Sequence, residues 1–142
     1  MFMGLVGSEM CIRDRGTIVI IMSLWGMTHG DEWAEIGWGE GNVLAHDEAY
    51  EEMWALHLMP LGVMAIITAL IVTGKELAKI AMFAPIVLVN MLGGMLILTS
   101  DNGYGGTPTG VSAALAGLMM LATILTCASG FMHKGDTEES GD

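Results

Sequence analysis

Trp54 to Thr73 reads WALHLMPLGVMAIITALIVT, twenty residues without an Asp, Glu, Lys or Arg. As an α-helix rising about 1.5 Å per residue the run is roughly 30 Å long, the hydrocarbon thickness of a bilayer. A transmembrane helix over 54–73 follows. A second uncharged run, IAMFAPIVLVNMLGGMLILT, predicts another over 80–99. Its Pro85, Gly93 and Gly94 would weaken a helix in water, but in lipid a lost helix strands backbone groups with no solvent to bond.

A third run begins TPTGVSAALAGLMM. Thr107 suits an N-cap and Pro108 the first helical position, which places a helix over 108–132. The first apolar run is shorter. TIVIIMSLWGM, Thr17 to Met27, covers only about 16 Å as a helix, too little to cross. The segment MTHGDEW after it lacks the small-x-small pattern of a signal-peptide cleavage site. Ahead of it, GLVGSEMCIRDR (residues 4–15) resembles translated sequencing-adapter read-through. That resemblance implies that 1–15 is a non-native extension and that 16–27 is a partial span whose beginning is missing.

The remainder of the chain agrees with a lipid environment. Of 142 residues, 53% are hydrophobic and 15% charged, with a mean hydropathy of +0.58. The apolar residues lie in blocks, so the domain is 16–133, followed by an acidic, unstructured tail over 134–142. Five Lys and Arg stand against sixteen Asp and Glu, a net charge of −11. With no basic cluster to meet phosphates, a nucleic-acid partner is excluded. Cys11 and Cys127 are isolated and show no zinc or disulfide spacing.

Lys and Arg in short loops orient membrane proteins. Outside 1–15 they are Lys75 and Lys79, in a loop 74–79, and Lys134, after the last helix. Alternation puts these on one side, which predicts a cell-membrane protein with the 74–79 loop and the C-terminus cytoplasmic. The segment 28–53 and the turn SDNGYGGTP then face outward. Segment 28–53 contains eight acids, two histidines and no Lys or Arg.

Candidate chemistry is sparse. In AHDEAYEEMWALH a helix starting near His46 would align His46, Tyr50, Met53 and His57 in one stripe, with Asp47 and Glu48 at the favourable end of the dipole. His46 and His57 are three turns apart, about 16 Å, so one ion cannot bridge them. His57 stands one turn inside a span, where an ionisable residue is a functional candidate. Pro60, three residues on, predicts a kink near Leu56. Asn90, at mid-membrane, needs a partner such as Thr68 or Thr123. Gly110, Ala113, Ala114 and Gly117 make a small-residue stripe suited to close helix packing. The fourteen methionines are interleaved with Leu and Ile and read as core filler.

These observations describe an all-α integral membrane bundle of about four transmembrane helices, the first truncated. The sequence designates no catalytic residue and identifies no cofactor or metal. The reading it favours is a structural or accessory subunit of a membrane complex, its acidic outer face available to a membrane-protein partner or a second copy. The alternative is a redox, metal- or haem-dependent enzyme subunit using His57. An exporter is disfavoured because proton coupling generally needs a carboxylate within a span, and the three full spans have none.

Overall fold

The computed structural model describes residues 7–99, 101 and 103–135, the side chain of Leu96 apart. Among these the chain forms six helices: α1 (Ser8–Thr28), α2 (Gly30–Trp38), α3 (Asp47–Ile71), α4 (Gly74–Met82), α5 (Ala84–Thr99) and α6 (Gly110–His133). Three continuous paths are long and apolar enough to cross a membrane: α3, α4 with α5, and α6. The fold is an all-α bundle, as the uncharged runs require. Large apolar side chains cover its outside, with Ile71 at 73% and Leu98 at 79% exposure. In water so much contiguous apolar surface would drive association, whereas lipid tails are a matching solvent.

The apolar run 16–27 lies within a longer, 21-residue helix beginning at Ser8. Glu9 and Arg13, one turn apart, approach to 4.0 Å on its exposed side. Its inner side packs: Ile12 joins Ala69, Leu77 and Ala81 in a buried cluster. The Cys11 carbonyl accepts the Thr126 hydroxyl at 3.2 Å, and the Ser129 hydroxyl donates to Ser8 Oγ at 3.1 Å. The adapter-like stretch is thus helical from Ser8 onward. Its first residues, like most of the acidic tail, lie outside the described residues.

The largest interface joins α1 to α3, which run antiparallel. It is built from small residues. A β-carbon at Gly62 would lie 2.7 Å from the Gly16 carbonyl oxygen, and one at Gly26 would lie 2.6 Å from the Ala55 methyl. Between these points the buried Ser23 hydroxyl donates to the Ala55 carbonyl at 2.7 Å. α6 meets α4 in the same way, since a β-carbon at Gly130 would lie 2.5 Å from the Ala78 carbonyl oxygen.

Three further expectations are corrected. The 74–79 loop is instead the first part of α4, where Lys79 bonds Glu76 at 2.7 Å one turn back. The span over 80–99 is interrupted by a turn at Phe83. Pro85 explains this: it lacks an N–H and its ring would meet the carbonyl of residue 81, a conflict removed by placing it in the first turn of a new helix. The last helix opens at Gly110, not Pro108. Thr109 is extended and caps without a side-chain hydrogen bond, while Gly110 takes a positive φ of 55° that a side chain would resist. Pro60 lies inside α3, which remains helical on both sides of it.

Among the described residues the contacts expected of Gly110, Gly117 and Asn90 are not made. A β-carbon at Gly110 or Gly117 would meet nothing within 4 Å. Asn90 is exposed, and the hydroxyls of Thr68 and Thr123 bond their own helix carbonyls at Met64 and Met119.

The glycine contacts differ in consequence. Gly62→Leu should destabilise the bundle by about 1–3 kcal/mol through overpacking. Gly93→Leu, where a β-carbon meets open space, should change stability by less than about 0.5 kcal/mol. Reversible unfolding of both variants in mixed micelles measures the difference.

Candidate functional site

The acidic segment 28–53 is not the plain loop its polarity suggests. Its first third is α2, which uses Gly30, Ala34 and Gly37 as a small-residue face and turns Asp31 and Glu35 to solvent. Gly30 lies on Glu48 and Glu52 of α3, so α2 rests across the first turns of that helix. Gly39, at a φ of 85°, ends α2 and donates its N–H to the Glu35 carbonyl at 2.9 Å.

The turn between α5 and α6 completes the cap. The Gly105 N–H donates to the Gly37 carbonyl at 2.7 Å. The Tyr104 ring sits over Gly37, where no β-carbon would fit, and meets the Trp38 ring edge-on at 5.0 Å. Its hydroxyl donates to Glu51 Oε1 at 2.6 Å, and the Ser112 hydroxyl donates to Glu32 Oε1 at 2.7 Å. Two carboxylates thereby tie α2 and α3 to the α5–α6 turn and the start of α6. Asp47, 5% exposed, accepts the Leu44 N–H at 2.7 Å and closes the entry to α3.

The predicted stripe is present: His46 caps α3, and His46, Tyr50, Met53 and His57 all lie exposed on its outer side. His57 Nδ1 pairs with the Met53 carbonyl of its own helix. It points to the surroundings of the bundle and not into a polar cavity. His133 pairs likewise with the Ser129 carbonyl at 2.9 Å, at the opposite end. Among the described residues no three His, Cys, Asp or Glu side chains are grouped to hold a metal ion. Cys11 and Cys127 are both free thiols.

Sequence reasoning passed over Glu51, Tyr104, Ser112 and Glu32 as individual residues. Two signals pointed to them: the 30/34/37 spacing of small residues, and a single aromatic in a glycine-rich turn, which needs a surface to cover it.

Burial, and then the adjoining Glu51 carboxylate, push the Tyr104 hydroxyl well above its ordinary range. The neutral phenol is therefore the form that the fold favours. Between about pH 10, where an unfolded tyrosine ionises, and the higher folded value, the unfolded chain binds fewer protons and stability must fall as pH rises. Below about pH 10 the full contribution is present. Melting curves from pH 8 to 11 should show this decline, and Tyr104→Phe should flatten it while costing about 1–2 kcal/mol at pH 8.

No family model, curated protein or solved structure matches this chain, so its function has to be read from its own residues.

Proposed function

We propose that the chain is a small integral membrane protein that serves as a structural or accessory subunit, presenting the acidic cap to a partner. The observation that carries this reading is the one-sidedness of a built surface. α2, the start of α3 and the turn before α6 are fastened together, and the eight acids of 28–53 are gathered there without one Lys or Arg. Of these, Asp31, Glu35, Glu40 and Glu48 are exposed. A rigid surface of one sign steers association with a basic partner and sets its register.

Lys75, Lys79 and Lys134 mark the other end of the bundle, and their bias supports a cytoplasmic location for that end. The acidic cap then faces outward. Cysteine labelling of the intact cell tests this orientation. In a background with both native cysteines replaced, Asn42→Cys should react with a membrane-impermeant maleimide, and Lys75→Cys should react only after permeabilisation. The reverse pattern would contradict the orientation.

The subunit reading is tested by what accompanies the protein in mild detergent. A stoichiometric membrane partner is expected, and Asp31→Lys with Glu35→Lys should reduce its recovery at least tenfold while leaving helix content unchanged. The self-paired, outward-facing His57 supports this reading over a haem or metal role. Accordingly, His57→Ala should retain the partner and show the same visible absorbance and metal content as the parent. Loss of a chromophore or metal on that substitution would overturn the proposal in favour of a redox subunit.

A further inference from the structure

Beneath the cap, between the acidic start of α3 and the end of α5, lies an open cavity of about 430 Å³. Tyr50, Glu51, Trp54 and Tyr104 line its polar end, and Met91 and Met95 line the part that runs along α5. Among the described residues Glu51 is the one charged residue in the lining, and it is 7% exposed. Its Oε1 receives the Tyr104 hydroxyl at 2.6 Å. Tyr104 already satisfies one oxygen of this carboxylate, and a cation entering through the open side of the cavity would be attracted by its charge. The surrounding segment offers no Lys or Arg of its own.

The lining discriminates among ligands. An anion would face Glu51 and the field of the neighbouring acids. A hard metal ion needs several oxygen ligands, and the lining provides one carboxylate among aromatic and thioether groups. An uncharged lipid tail would fit the methionines but gain nothing from the charge of the carboxylate. Three aromatic rings beside one carboxylate are the surroundings an organic ammonium group favours, since ring faces attract a cation too weakly hydrated to resist losing water. The apolar wall along α5 would take whatever carbon body that cation carries.

We propose that this cavity is a binding site for an organic ammonium ion with an apolar body, its charge held by Glu51 and the rings of Tyr50, Trp54 and Tyr104. Such a group occurs both as the headgroup of a choline lipid and in free amphiphilic amines. The site stands on the geometry of α3 and α5, independently of any partner at the cap.

The test uses the purified full chain in maltoside micelles and benzyltrimethylammonium as the probe, followed by calorimetry. Saturable binding of one probe per chain is expected. Glu51→Gln, which keeps an acceptor for Tyr104 and removes only the charge, should weaken it at least tenfold. Tyr50→Leu, at an exposed position that does not threaten folding, should weaken it about threefold to tenfold. Asp101→Asn, which alters only the diffuse field, should stay within threefold of the parent. The uncharged isostere neopentylbenzene should compete at least tenfold less well. If added phosphatidylcholine displaces the probe and phosphatidylglycerol does not, the natural occupant is a lipid headgroup; if neither does, it is a free amine. Absence of saturable binding would overturn the proposal. So would parent-like affinity in both Glu51→Gln and Tyr50→Leu, or an Asp101→Asn loss as large as that of Glu51→Gln.

Discussion

At the crossing of Gly16 and Gly62 two helix backbones come so close that neither glycine could carry a β-carbon without displacing the other's carbonyl. Lipid tails are as apolar as leucine, so burying leucine between two membrane helices gains little; close backbone contact, dispersion and occasional hydrogen bonds have to hold them. The α1–α3 interface follows that rule along its length. Gly16 on Gly62, Ser23 on the Ala55 carbonyl and Gly26 on Ala55 occur in sequence up the seam. Most of the buried residues are accordingly alanines, serines and threonines, with Ile12, Leu58 and Leu77 the large apolar side chains among them, while most other large apolar side chains face outward.

That seam also fixes what lies at its end. α3 enters the bundle with its first two turns projecting beyond the seam, and these turns carry Asp47, Glu48, Glu51 and Glu52. α2 can cover them because its inner face has no bulk. Four carboxylates crowded at one helix start are tolerable for two reasons: the dipole favours negative charge there, and neutral donors reach in. Leu44 supplies an N–H to Asp47 and Tyr104 a hydroxyl to Glu51. Ser112 does the same for Glu32 on α2. The cap is therefore a consequence of the same packing that forms the bundle, with polar groups satisfied by O–H and N–H donors in place of counter-ions.

The spans were legible because length without charge is a strong signal in lipid, and α3 and α6 lie close to where their uncharged runs put them. Local breaks were less legible. Pro85 was read as tolerated inside one span, but with Phe83 free to turn, a new helix beginning at Ala84 costs less than a proline in mid-helix. Small residues misled in one place and were missed in another. Gly110 and Gly117 stand out as a motif yet a β-carbon at either would meet open space, whereas Gly16, Gly26, Gly62 and Gly130 are scattered over three helices and acquire meaning only as facing partners. The cap was hidden because its polarity resembles that of a loop, and because a contact such as Tyr104 with Glu51 spans 53 positions, which no local pattern records.

The central claim is a lipid-embedded bundle with a folded cap, and amide hydrogen exchange of the full chain in lipid nanodiscs tests it most directly. The expected result has three tiers: residues 54–71, 84–99 and 110–133 protected for hours, 30–38 exchanging faster than these, and the non-helical connection 39–46 exchanging fastest. Rapid exchange through the three apolar runs, or equal rates over 30–38 and 39–46, would contradict it.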